Sequence, residues 1–353
     1  MIRVTALTSG QYVPSARFRI RQHIHSLRDM GIYVREYIPI VNRYALLPGI
    51  LRNVKHNYVL PLYAFWGIAK VAVCVPGIIS SWNAQVTWLE RSLLPGYLTL
   101  EPLLKKPLVF DVDDSIWLSR PFGRSATIQI AKHADTIIAG NKYLADWLTR
   151  WARDIRIVPT AVDTDRFRPT DPSTKSTNKF FTIGWTGTAS NLVFLYDIEE
   201  SLTRFVQNHK YTFLMVVSDA MPAFRKFPSD KMKYIPWTPG CEAKAIRQMD
   251  VGLMPLPDNK WTKGKCSFKM LQYMASAIPV IVSPVGMNTE VLSMGNVGLS
   301  AATPGEWYEA LDEIFHHPKW HMEWGKTGRE VVKRHFSSKV VSAQLGSIFQ
   351  DLT

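Results

Sequence analysis

Residues 249–291 read MDVGLMPLPDNKWTKGKCSFKMLQYMASAIPVIVSPVGMNTEV. The order is strand, basic loop, helix, strand. VGLMPL is a short apolar run, and DNKWTKGKC is a polar loop carrying Lys260, Lys263 and Lys265. SFKMLQYMASA has helical spacing, with Phe268, Leu271, Met274 and Ala275 on one face. IPVIVS is the β-branched run expected of a buried parallel strand. A basic loop that enters a helix N-terminus at the carboxyl end of a strand is a natural phosphate site. The plainer alternative is an α/β unit with a solvated lysine loop.

The rest of the chain extends that pattern. At 353 residues, about two domains are expected. A net charge of +13 implies an anionic partner: nucleotide phosphates, a lipid phosphate, an anionic membrane surface or nucleic acid. The three cysteines, Cys74, Cys241 and Cys266, are too few and too far apart for a disulfide framework or a cysteine zinc site, and they fit a reducing cytoplasm. MIRVTALTSG reads as a strand and a glycine turn, without the apolar region of a signal peptide.

Residues 58–79, YVLPLYAFWGIAKVAVCVPGII, approach the length of a membrane span but are interrupted by Pro61, Gly67, Lys70 and Pro76. Core helices are the favoured reading, with some peripheral membrane contact. Tyr63, Phe65 and Trp66 lie near Arg52, Lys55, His56 and Lys70, a composition that suits a helix lying on anionic lipid.

Strands are expected at 3–8, 85–89, 108–112, 136–139 and 156–158, with helices at 16–30 and 141–151 among the segments between them. PTDPSTKSTNK, residues 169–179, has no apolar residue and reads as a linker. The alternation then resumes, with strands at 180–185, 211–217, 232–235, 251–255 and 280–283, followed by an all-helical stretch over 306–352. Strands alternating with helices argue for parallel sheets covered on both faces. The expected organisation is α/β: a Rossmann-like domain over 1–170, a linker over 171–179 and a second Rossmann-like domain over 180–330. Helix 331–353 is expected to pack back on the first domain, with a ligand cleft between the carboxyl ends of the two sheets.

Several segments together resemble the family 4 (group 1) glycosyltransferases of the GT-B fold, in the branch that builds bacterial cell-envelope glycans. They are PSARFRIRQHIHSLRDMGI, VFDVDDSIW, HADTIIAGNKYLADWL, IRIVPTAVDTDRFRP, FTIGWTGTASNLVFL and the 249–291 stretch, in family order. The resemblance implies a nucleotide-diphosphate sugar as donor and a glycan or polyprenyl (lipid-linked) acceptor. It also implies retention of anomeric configuration, no metal or other cofactor, and a cytoplasmic protein peripheral on the inner face of the plasma membrane. Donor-site residues carried over by position are Gly184, Trp185, Thr186, Gly187, Thr188, Trp237, Lys265, Ser267, Phe268, Lys269, Gln272 and Glu290.

The departures from the family shift the chemistry. Gly264 and Gln272 stand where the family usually has two glutamates. The loop GWTGTASN lacks the usual arginine and lysine that grip the diphosphate. Lys265 and Lys269, four apart around a helix start, are therefore expected to meet the phosphates and stabilise the leaving group. Gly184 and Gly187 would bring backbone N–H groups close. Asp113 and Asp114, in DVDDS, would orient the acceptor hydroxyl or act as base. Otherwise one caps the following helix and the other pairs with an arginine. Gly10, Gln11, Ser15, Arg17 and Arg19 are the acceptor candidates, with Arg17 and Arg21 on one helical face.

The expected function is glycosyl transfer. A degenerate GT-B protein that binds without transferring, or a nucleotide-sugar epimerase on the same fold, are the alternatives. A nucleic-acid-binding protein is disfavoured, because no basic stripe is interleaved with aromatics.

Overall fold

The computed structural model describes residues 1–47, 56–170 and 180–353. The linker expected at 171–179 lies outside them, as do Arg52 and Lys55. The chain forms two compact units, Met1–Ala161 with Val341–Thr353, and Val162–Val340.

Among the described residues the first unit carries a six-stranded parallel sheet in the order β2-β1-β3-β4-β5-β6. The strands are β1 Ile2–Leu7, β2 Ile32–Tyr37, β3 Val86–Glu90, β4 Leu108–Val112, β5 Thr136–Ala139 and β6 Ile155–Ile157. Every residue of β3, β4 and β5 is buried, as expected of strands covered on both faces. Two edge strands, β2 here and β12 in the second unit, lie outside the sequence expectation. IYVREY in β2 alternates exposed and buried positions, and β12 is three residues long.

The expected helix over 16–30 is broken. Residues Ala16–Ile20 form a wide π-type turn, Arg21–His23 a 3₁₀ turn and Ile24–Asp29 a short α-helix. Arg17 and Arg21 therefore do not form an i, i+4 face. Arg21 grips Glu36 through two N–H groups, at 2.9 and 2.6 Å.

The second unit repeats the architecture in the order β12-β11-β10-β7-β8-β9. Its strands are β7 Phe181–Gly187, β8 Thr212–Ser218, β9 Met232–Pro236, β10 Val251–Met254, β11 Val280–Val282 and β12 Gly298–Ser300. The division between units falls at 161/162 and not at 170, because 162–168 is tied into the second unit. Val162 N–H donates to Phe336 O and Ser338 N–H to Val162 O, and the Arg329 guanidinium donates to Thr164 O and Phe167 O.

The last helix, Ser338–Asp351, returns the chain to the first unit. Val341, Leu345, Ile348 and Phe349 join the core formed by Ile20, Leu27, Val34 and Trp88. The Phe349 ring meets Trp88 edge-on at 5.0 Å. Ser342 Oγ hydrogen-bonds His23 Nδ1 at 2.8 Å. Burial, aided by the charge of Arg19, holds His23 neutral with a pKa near 3. Only residues from 341 onward belong to the first unit, against the expected 331. Phe349→Ala leaves an unfilled core beside Trp88 and is expected to cost about 3–5 kcal/mol, read as a lowered denaturation midpoint.

Candidate functional site

In the second sheet, strand order reverses at β7: β8 and β9 lie to one side, and β10 to β12 to the other. Ligands of such sheets bind outside the carboxyl ends of the strands that flank the reversal. Here those strands are β7 and β10, which lead into 188–191 and into the lysine loop. The helix Phe268–Ala275 begins at the end of that loop.

Lys269 reaches the end of β7. A Cβ placed on Gly187 would lie 2.6 Å from Lys269 Nζ and 2.4 Å from the Trp185 ring, so only glycine leaves the ammonium its place. The ammonium sits 4.7 Å from the centroid of that ring. Burial, and then the charge of Lys265, push the Lys269 pKa down to about 7. Lys265 Nζ stands 5.6 Å from the Trp261 ring centroid and 5.9 Å from that of Phe194. The two cations thus converge on the reversal point with Gly187 and Thr188.

Other donor candidates support this arrangement from beneath. Trp185 is 1% exposed and serves as the platform for Lys269, with no face for a ligand. Gly184 is inside β7, packed under Met249, and is not part of a turn. Thr186 N–H donates to Tyr273 Oη at 2.8 Å, and the Tyr273 ring fits against β10 because Gly252 has no side chain. Ser267 holds a left-handed backbone (φ 50°) that costs about 1–2 kcal/mol, and donates from Oγ to Asn288 Oδ1 at 2.7 Å. That bond fixes the start of the helix carrying Phe268 and Lys269. Phe268 is half-buried at its first position, and Glu290 is exposed on the neighbouring helix Met287–Leu292.

Two acidic residues here escaped the sequence reading. Asp219, just past β8, accepts from Ala189 N–H at 2.6 Å and pins the loop after β7. Glu242 is 5% exposed, and its carboxyl faces the side chains of Gln272 and Trp237, with Arg166 3.4 Å away. Burial raises its pKa despite those partners. Gln272 is itself buried, so the polar side chain that replaces a family glutamate has a carboxylate beside it after all.

The first unit has its own reversal, between β1 and β3. Ser9 donates from N–H, at 2.8 Å, and from Oγ to Glu90 Oε2, joining the two strand ends. Gly10 follows at φ 148°, and a Cβ there would meet Asn42 at 3.2 Å. Arg91, in the left-handed region at φ 57°, donates from Nε to Asp113 Oδ1 at 2.6 Å and from Nη1 to Tyr44 Oη at 2.9 Å. Burial alone would raise Asp113. The charge and hydrogen bond of Arg91 outweigh it and hold the carboxyl below the ordinary range. Asp114 lies 3.8 Å from Arg91 Nη2 and accepts from Ser115 N–H.

The acceptor candidates divide. Arg19 is 3% exposed: Nε and Nη2 bind Asp111 Oδ1 at 2.9 and 2.8 Å, and Nη1 binds Val158 O. It is a core ion pair and unavailable to an acceptor. Ser15 is also buried. Arg17 is half-buried, 4.7 Å from the centroid of the Phe18 ring, and Gln11 is exposed with its carbonyl bound by Arg21. Gly10, Gln11 and Arg17 thus remain near the strand ends. Arg91, Glu90 and Tyr44 were missed, because nothing in their spacing shows that β3 lies next to β1.

Residues 182–317 match the family model described as glycosyl transferases group 1. The whole chain superposes on solved structures at low identity. Sucrose-phosphate synthase from Thermosynechococcus elongatus matches at 14% identity and a TM-score of 0.69, over 100% of this chain and 99% of that one. Anabaena HepE in complex with UDP and glucose matches at 12% and 0.69, over 99% and 100%. WaaG, a glycosyltransferase involved in lipopolysaccharide biosynthesis, matches at 12% and 0.64, over 98% and 99%. No curated protein sequence matches the chain. The fold is GT-B. The family match covers 182–317 of the second unit, and the likeness of the whole chain to these structures shows the fold.

If a nucleotide diphosphate binds in this crevice, a lysine whose pKa is pushed down to about 7 has a direct consequence. A bound diphosphate stabilises the protonated form, so binding is strongest where Lys269 is already charged. Donor affinity is expected to be flat below pH 7 and to weaken above it, by up to about tenfold per pH unit. Calorimetric titration of a nucleotide sugar between pH 6 and 9 checks this, because its diphosphate stays fully ionised over that range. Lys269→Gln should bind weakly and without the slope.

Proposed function

We propose that this protein is a glycosyltransferase that moves a sugar from a nucleotide diphosphate to a hydroxyl of a glycan or lipid-linked acceptor. The work belongs to cell-envelope polysaccharide assembly at the cytoplasmic face of a membrane. The observation that carries the donor half is the convergence of Lys265, Lys269 and the Gly187 turn at the strand reversal. These groups offset the charge that develops on the departing diphosphate, aided by the N-terminus of helix Phe268–Ala275. The Anabaena HepE structure, solved with UDP and glucose, supports a donor of this class.

The reading has the reaction retain configuration without a metal. The anomeric C–O bond to phosphate breaks, the acceptor oxygen bonds to the anomeric carbon, and the acceptor proton passes to the leaving phosphate oxygen. Asp113 suits an orienting role better than that of a base, because Arg91 holds it ionised and weakly basic. Gly264 and the Gln272–Glu242 pair favour one competing reading, a protein that binds nucleotide sugar and does not transfer it.

Thermal-shift titration with UDP, GDP, dTDP and ADP sugars is expected to single out one nucleotide. Turnover of that donor with membrane lipid extract as acceptor should fall about 10²–10³-fold in Lys265→Ala and Lys269→Ala. Full activity in both variants removes the phosphate assignment. Saturable binding with no turnover establishes the competing reading. Asp113→Asn is expected to reduce kcat while leaving donor binding unchanged.

A further inference from the structure

The first unit carries an apolar surface that its own core does not use. Helix His56–Ala72 and helix Val75–Ser81 follow one another, and residues Leu62–Ser81 are long and apolar enough to cross a membrane. Only 17% of the most apolar window of that stretch is buried. Phe65 is 68% exposed, Ile68 67%, Ile79 60% and Trp82 62%. Leu103, 55% exposed, extends the surface, since its carbonyl accepts from Trp82 Nε1 at 3.0 Å.

The inner face is fixed to the domain. Gly77, Ile78 and Ser81 are buried, and a Cβ on Gly77 would lie 2.5 Å from the Tyr37 ring and 3.2 Å from Leu7. The pair of helices bends at Val73–Cys74 to follow the sheet. A perpendicular span would have to tear the second helix off β1. The geometry favours a helix pair lying in the plane of an interface, apolar side outward.

Charge identifies the interface. From Tyr37 to Leu89 the chain has no Asp or Glu, and neither 102–110 nor 115–134 has one. Lys105 sits directly beside Trp82, donating from Nζ to Trp82 O at 3.2 Å and to Ala84 O at 2.6 Å. Arg120 and Arg124 are exposed and flank the exposed Phe122, whereas the exposed Lys106 is paired with Asp135 at 3.3 Å. Phe122 packs edge-on to Tyr97 at 5.8 Å. Exposed aromatics rimmed by Lys105, Arg120 and Arg124 suit the headgroup layer of an anionic bilayer.

We infer that helices His56–Ala72 and Val75–Ser81 form an in-plane anchor that seats the first unit on an anionic phospholipid surface. The inference deepens the proposed transfer to a lipid-linked acceptor by naming the surface along which that acceptor is reached. The anchor also touches the acceptor machinery. Lys70 Nζ donates to Arg43 O at 3.0 Å and Trp66 Nε1 to Ala45 O at 3.2 Å, on either side of Tyr44, whose hydroxyl accepts from Arg91. Seating the helices on lipid therefore holds the loop that completes the Asp113 site.

The test is flotation of the full chain with phosphatidylcholine vesicles, with and without 30% phosphatidylglycerol (roughly one lipid in three, enough for an anionic surface potential), in the absence of any nucleotide sugar. Binding is expected only to the anionic vesicles, to weaken with salt, and to be released by alkaline carbonate. Phe65→Glu/Ile68→Glu should lower the partition coefficient by about tenfold or more while circular dichroism and nucleotide-induced thermal shift stay unchanged. No binding by the unmodified chain overturns the anchor, and so does a folded double variant that still binds. Retention after carbonate extraction replaces the in-plane arrangement with a span. A dimer that the double variant dissociates, without vesicle binding, assigns the surface to a second copy. Because donor turnover is not read here, failure of the anchor and failure of the transfer reading are separable.

Discussion

All strands of a parallel sheet end on the same side, and that constraint governs this molecule. Each unit gathers its loops at one sheet edge, and the reversal of strand order opens a crevice there. In the second unit the reversal separates β7 from β10, and the lysine loop emerges at that point. In the first it separates β1 from β3, and Ser9, Gly10, Glu90 and Arg91 collect there. The chemistry of both sites follows from where the chain reverses.

The same constraint sorts charged residues into scaffold and site. Arg19 and Asp111 are both almost fully buried and bind each other, Trp88 and a backbone carbonyl. Removing one partner would leave an uncompensated charge in the core, so this pair fixes geometry. Arg91 and Asp113 each stand one residue beyond the end of a strand, β3 and β4, and keep 16% and 12% of their side chains exposed. Asp111 lies within β4 and Asp113 one residue past its end. One was drawn into the core and the other left at the rim.

How far this was legible depends on how local each signal is. The runs at 108–112 and 136–139 matched the observed strands residue for residue, because strands buried on both faces are predominantly apolar. β2 and β12, at the sheet edges, carry no such run. The break in 16–30 was invisible, since it places Arg19 against a partner 92 residues away. Lys265 and Lys269 could be found from a strand, a loop and a helix start within one segment. Arg91 and Glu242 could not: their importance comes from strand order and from a contact between distant parts of the chain. Trp185 misled for the opposite reason: read as part of a functional loop, it lies inside β7, buried in the core, and supports the lysine above it.

Around the lysine loop, the departures from the family pattern are electrostatically consistent with one another. A site with two carboxylates and an arginine–lysine pair balances anions against cations before the diphosphate arrives. Here the loop cations are absent, and so are both carboxylates at the positions of Gly264 and Gln272. The remaining positive charge sits on two lysines, and Lys269 is desolvated against Trp185 and Gly187 and depressed further by the charge of Lys265. Carboxylates retained beside them would neutralise the field that the diphosphate needs. Glu242, the acid that is present, is instead partnered by Arg166 and kept behind Gln272. The absent glutamates and the two lysines are thus two sides of one charge balance, which leaves the crevice short of an anion.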